Sequence, residues 1–287
     1  MGKLKFAVHA YAWTGRWSDR TLDLIDRAKG LGFDVIEIPL MEIELVNPKK
    51  IKERLKAVGI GVCTSTACSE ANDVTAEDEE IRKNGVVYLE KCIHATADMG
   101  ATCFTGVVYS AMGGRIDKMP DERYWERSAK ALKHVAKSAQ GLGVTIGIEP
   151  VNRYETFLIN TCEQAFRLKE MIDEPNIAIH LDSYHMNIEE DGFYGPTRKA
   201  APYLCHYHLS ESHRGIPGTG TVDWDGIYKA LSEANYTGLV GLESFAEVSE
   251  ALRAATCIWR PLAPSSNYLL TEGLKFLKDL EAKYYRD

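Results

Sequence analysis

The sequence has no pair of cysteines spaced as CxxC, and its seven cysteines, scattered from Cys63 to Cys257, make an odd count. Both facts argue against a disulfide framework and a thiolate zinc site, and for reduced, mostly buried thiols in a cytoplasmic protein. Long apolar runs are missing as well. No stretch approaches the ~20 residues that a membrane span needs, and the opening MGKLKFAVHAYAW has neither the apolar segment nor the cleavage signal of an exported chain. Positive charge is in deficit, with 34 Lys and Arg against 41 Asp and Glu and a formal net charge of −7. A surface of that sign repels polyanions, so nucleic acid and anionic membranes are excluded as expected partners, and small neutral molecules or cations are favoured. No G-x-G-x-x-G turn follows the first strand candidate. The one glycine-rich run, RGIPGTGTVDW, lacks the lysine of a phosphate-binding loop and reads as a flexible rim loop. No linker, low-complexity tract or charge run marks a second domain.

What is present fits one large core. The chain has 287 residues, 45% of them hydrophobic, a length that suits either two ordinary domains or one α/β barrel of about 250 residues. One phrase recurs: a helical stretch, a glycine, then a short β-branched run, as in AKGLGFDVIEI, LKAVGIGVCTS, TADMGATCFTG and AQGLGVTIGIE. Gly32, Gly59, Gly100 and Gly143 are thereby predicted just past helix ends, in left-handed backbone that glycine adopts cheaply. Between them lie amphipathic segments. In DERYWERSAKALKHVAKSAQGLG, Trp125, Ala129, Leu132, Ala136 and Ala139 share one face, and Asp121 opens an acidic first turn.

Eight strand candidates begin near Lys5, Val35, Gly61, Cys103, Thr145, Ala178, Cys205 and Leu239, most of them separated by helical stretches. Eight β-then-α units predict a closed (β/α)8 TIM barrel in a single domain, with a doubly wound open sheet as the runner-up.

Barrel active sites gather at the C-terminal ends of the strands. The last four candidates end in Glu149, Asp182, His208 and Glu243. One such residue is unremarkable near solvent, but four on consecutive strands predict a hard, mostly oxygen site for Mn2+, Mg2+ or Co2+. Residues two apart face the same way, so Gly147 and Gly241 lie beneath the two glutamates and are expected to leave space there. His180 and His206 are expected one layer deeper, as core or supporting histidines. Glu155, His185 and Arg214 crowd the same rim and together would line a polar pocket for a hydroxyl-rich ligand, and Asp223 reads as the cap of the next helix.

At IEPVNRYET, HLDSYHMNIEE, HLSESHRGIPGTGTVDW and VGLESF the sequence resembles the ketose 3-epimerases, acting on sugars such as D-tagatose, D-allulose or L-ribulose, within the xylose-isomerase-like barrels. The resemblance runs essentially end to end, over 1–287. It implies one divalent metal ion per subunit, Mn2+ or Co2+ by preference and Mg2+ by tolerance, held by Glu149, Asp182, His208 and Glu243. It further implies that Glu149 and Glu243 are the acid–base pair, that Glu155, His185 and Arg214 hold the O1 and O2 end of the ketose, and that the chain forms a homodimer or homotetramer. Two positions depart from the best-known branch. Met112 stands where that branch has a tryptophan, and His9 where it has an aromatic residue; another branch resembles this chain at both. Both positions are expected to touch the substrate, which leaves the preferred sugar open.

Epimerising C3 means removing a proton alpha to the C2 carbonyl and returning one on the opposite face, through a cis-enediolate that a metal ion would stabilise. Two carboxylates suit this task, since one base cannot reach both faces. The competing expectations are an aldose–ketose or hydroxypyruvate-type isomerase on the same barrel, and a non-catalytic sugar-binding barrel. An apurinic-site endonuclease would need further histidines and a basic face, and neither is evident.

Overall fold

A computed structural model describes residues 3–246, 248 and 250–285. Among them eight parallel strands close into a barrel in sequence order, as β1 Lys5–His9, β2 Val35–Pro39, β3 Gly61–Cys68, β4 Cys103–Ala111, β5 Thr145–Ile148, β6 Ile177–Asp182, β7 Leu204–His208 and β8 Leu239–Leu242. Every strand starts within a residue of its expected position. The barrel is shut by β1 pairing with β8, with Ala7 opposite Gly241. Met1, Gly2, Arg286 and Asp287, which end the expected domain, lie outside the described residues.

Local sequence accounts for the helix ends. Gly59 and Gly100 cap the helices Pro48–Val58 and Glu79–Met99 with φ of 70° and 87°. Asp121 and Asp223 cap the helices Glu122–Gln140 and Trp224–Glu233, their side chains accepting from the backbone N–H of Arg123 and Gly226. The helix Glu122–Gln140 buries Trp125, Ala129, Leu132, Ala136 and Ala139 against the barrel. Full burial of a large apolar side chain contributes about 1.5–3 kcal/mol, so this stripe holds the helix in place although its other face is charged. No helix among the described residues is long and apolar enough to cross a membrane.

Side chains alternate along each strand, and the two faces differ sharply. Outward residues such as Phe6, Val8, Ile36, Ile38 and Ile146 join the main hydrophobic core beneath the helices. Inside, the lower barrel holds a small apolar cluster of Ala7, Val35 and Cys63. Above it the filling is polar: Glu37, Thr105, His180 and His206 are all fully buried.

That polar layer corrects the expectation of open space beneath the two strand-end glutamates. A Cβ on Gly147 would lie 2.5 Å from Cys205 Sγ and 2.7 Å from Thr105 Oγ1, and one on Gly241 would lie 2.7 Å from the His206 ring. The glycines are there because neighbouring strands fill the room. Gly241→Ala is therefore expected to lower unfolding free energy by about 1–3 kcal/mol through overpacking, read as a fall in the urea midpoint at unchanged m-value.

Candidate active site

Four consecutive strands deliver the central acids and their histidine. Asp182 pairs with His208 across β6 and β7, and His208 pairs with Gly241 on β8, two residues before Glu243. Glu149 follows β5 directly, its amide bonded to Gly106 O. As a result His208 Nδ1 lies 3.6 Å from Glu149 Oε1, 3.8 Å from Asp182 Oδ2 and 3.5 Å from Glu243 Oε2. That nitrogen is buried and has no hydrogen-bond partner. Glu149, Asp182 and His208 form a group whose ligand atoms are close enough to hold one metal ion. An orphaned imidazole nitrogen facing three carboxylates on adjacent strands is a donor set that fits a hard divalent cation.

The opposite nitrogen of His208 is held by a residue that sequence reading did not single out. Glu37, on β2, is fully buried. Its Oε2 accepts from Nε2 of both His206 and His208, at 2.8 Å each, while its Oε1 lies 3.6 Å from His9 Nε2. With the Nε2 proton directed at Glu37, His208 turns Nδ1 toward the acids, the carboxylate–histidine arrangement that orients metal-binding imidazoles. The only trace in the sequence is an acid inside VIEIP, a strand otherwise apolar and covered on both faces. His180, also one layer down, bonds Thr105 at 2.6 Å and stacks on His206 at 4.7 Å between ring centroids.

Electrostatics separate the three acids. Burial raises the Glu149 carboxyl above its ordinary value, and the His208 contacts reduce the rise without cancelling it. Burial would raise Glu243 too, but the Arg214 guanidinium and His208 hold it well below the usual range. Asp182 is likewise held down by Arg214 against the effect of burial. Burial opposes charge on His208, yet the Glu37 and Glu243 carboxylates, with Asp182 and Glu149 close by, push its pKa well above the ordinary imidazole value.

The expected rim residues converge on one pocket. Glu149, His208, Glu243, Glu155, His185, Arg214, His9 and Met112 all line it. Asp182 is beneath them and does not line it, reaching the site through His208 and through Arg214 Nη1 at 3.1 Å. Arg214 also pairs closely with Glu243 and lies 4.1 Å over the Tyr184 ring. His185 Nδ1 accepts from the Asn152 amide at 3.1 Å, and Asn152 Nδ2 donates to Glu155 at 2.9 Å. His9 Nδ1 accepts from the Tyr11 amide, and its Nε2 is 3.1 Å from Ser65 Oγ. Tyr11, Ser65 and the side chains of Leu252, Ala255 and Thr256 also line the pocket and carried no signal in the sequence. The last three come from the helix Glu250–Thr256.

Known proteins resemble this chain over nearly its whole length. The family described as xylose isomerase-like TIM barrel matches residues 25–280. A ketose 3-epimerase of Arthrobacter globiformis is 36% identical over 96% of this chain and 96% of its own. An L-ribulose 3-epimerase of Methylomonas sp. (strain DH-1) is 34% identical, covering 96% and 97%. Among solved structures, a D-allulose 3-epimerase from Methylomonas sp. in complex with D-allulose superposes with a TM-score of 0.92 at 33% identity, covering 97% of this chain and 98% of that one.

Glu37→Gln tests the buried cluster. Removing one partner of a buried charge pair destabilises by about 3–5 kcal/mol, and urea titration of the cation-free protein at pH 7 is expected to show a loss of that order. Burial acts to raise the Glu37 pKa, but His208, His9 and His206 bring the folded value well below 4.5. Its stabilisation is therefore present above about pH 4.5 and fades as pH falls toward the folded value. The gap between wild type and variant should shrink below pH 4.5; a gap that widens there would contradict the assignment.

Proposed function

Because the chain belongs to the xylose isomerase-like TIM-barrel family and is an isomerase of its ketose 3-epimerase group, we propose that it inverts C3 of a free ketose such as D-fructose, D-tagatose or L-ribulose. In this reading Glu149, Asp182, His208 and Glu243 hold one divalent cation, Mn2+ by preference with Co2+ and Mg2+ as substitutes. The observation that carries the reading is the buried, unpartnered His208 Nδ1 facing carboxylates from three strands at the floor of the pocket. The cation would supply Lewis-acid polarisation of the substrate carbonyl, worth several kcal/mol.

The remaining work falls to the chain's own groups. Glu149 and Glu243 reach the pocket from the ends of β5 and β8, strands that flank β6 and β7 in the barrel order. Their environments push them apart, Glu149 toward the protonated form and Glu243 toward the carboxylate, which suits a donor and an acceptor acting on opposite faces of C3. Proton removal leaves a cis-enediolate, and reprotonation from the other side completes the inversion. In the reverse direction the two glutamates exchange roles. Arg214, His185 and Glu155 bind the O1 and O2 end, while His9 and Met112 border the rest of the sugar. Assembly as a homodimer or homotetramer completes the proposal.

Glu149→Gln and Glu243→Gln are each expected to cut kcat by about 10²–10⁴-fold with the circular-dichroism spectrum unchanged; normal turnover in either would remove the two-carboxylate scheme. The reaction itself is tested by proton and carbon NMR of L-ribulose and D-fructose in D2O, with chelator-stripped protein and added Mg2+. The expected result is deuterium at C3 with growth of the C3 epimer, and neither without the cation. Deuterium at C1 with an aldose product would replace this reading with an aldose–ketose isomerase.

A further inference from the structure

We propose that Glu211 is the positioning residue that sets the Arg214 guanidinium in the pocket, an inference that rests on the reading of Arg214 as an anchor for the substrate. Glu211 is fully buried and is not among the pocket-lining residues. Its carboxylate is saturated. Oε1 accepts from the amides of Ser212 at 2.8 Å and Val222 at 3.2 Å, and Oε2 accepts from the Gly218 amide at 2.8 Å and Trp224 Nε1 at 3.1 Å. A carboxylate offers about four acceptor positions, and all of them are spent on the loop between β7 and the helix Trp224–Glu233. Burial would raise this acid, yet the donors from Ser212, Trp224, Val222 and Gly218 hold it below its ordinary value, so it stays charged where they need an anion.

This corrects the expectation of a flexible rim loop. The loop passes so close over the carboxylate that a Cβ on Gly220 would lie 2.4 Å from Glu211 Oε1, and Gly218 turns through a φ of +86° against the Phe276 ring. The glycines serve a wrap around one buried anion.

Arg214 sits at the start of that wrap. Its amide donates to Glu211 O at 2.8 Å, its carbonyl accepts from the Phe245 amide at 3.0 Å, and its φ is +62°, left-handed backbone that a non-glycine residue adopts only when its surroundings hold it there. From this pinned position the side chain reaches Asp182, Glu243 and His185 and stacks on Tyr184. The β7 loop thus places a guanidinium at the floor of the pocket without any side-chain contact between Glu211 and Arg214 among those described.

The test uses the cation-loaded full chain with Glu211→Gln, Arg214→Ala and the double variant. Glutamine keeps the shape but turns an NH2 group toward loop donors. Glu211→Gln is expected to raise KM about tenfold with kcat little changed, and to add nothing further to KM in the Arg214→Ala background, as coupled sites do. Amide exchange at Ser212, Gly218 and Val222 should quicken, and the Arg214 Nε–H resonance should lose the displacement caused by the Tyr184 ring. Additive effects on KM, an unchanged KM with quickened exchange, or undisturbed exchange would each overturn the proposal. If Glu211→Gln does not fold, Trp224→Phe removes one of the four donors and should move KM and the arginine resonance the same way to a smaller extent. If the wild-type chain epimerises no ketose, the reading of the function fails, while exchange and the arginine resonance still decide whether Glu211 places the guanidinium.

Discussion

A fully buried carboxylate with no arginine beside it depends on what its neighbours can donate, and the inside of this barrel is arranged around that requirement. Glu37 is fully buried between His206, His208 and His9. An isolated anion there would be prohibitively unfavourable, so the surrounding strands must bring polar hydrogen to it. In doing so they fix which nitrogen of His208 is left to face Glu149, Asp182 and Glu243. The second row then follows. His180 has to pack beside His206, Thr105 bonds His180, and the strands that pass closest keep glycine at 147 and 241. A geometry that serves chemistry above the layer is set by charge compensation within it.

Arg214 brings positive charge to the other side of the acids. It contacts Asp182 and Glu243 but not Glu149, and this asymmetry is what separates the two glutamates electrostatically. One positive group placed off-centre distinguishes two otherwise similar residues, which on the proposed function would let one kind of side chain serve as both donor and acceptor. The burial of the cluster keeps that difference from being screened by water.

Much of this was legible in the sequence, for reasons that differ by residue. The strand starts could be read because buried parallel strands are short, apolar and preceded by a helix-ending glycine, a local pattern that repeats along the chain. Glu149, Asp182, His208 and Glu243 were visible because each closes such a run. Glu37 was not, since a lone acid inside a strand shows neither its parity partner nor the histidines that arrive from β7 and β1. Glu211 was hidden for another reason: three of its four donors are backbone amides, which every residue but proline carries and no sequence pattern marks. The rim loop was misjudged for the same cause, its glycines reading as looseness when they are clearance.

The pocket is assembled from two kinds of material. Its floor belongs to the hydrogen-bonded barrel, but part of its wall, Met41, Met112, Leu252 and Ala255, comes from connecting segments and from the helix Glu250–Thr256. Met41 and Met112 are tied to the end of β3, Met41 Sδ accepting from the Ala67 amide at 3.1 Å and the Met112 amide donating to Cys68 O at 2.8 Å, whereas Glu37 takes its hydrogen bonds from His206 and His208, so the wall and the layer under His208 rest on different contacts. On the proposed function, exchanges in those outer segments would alter which sugar fits more readily than they would alter the residues around His208, and a lineage of such barrels should diversify in diet faster than in chemistry.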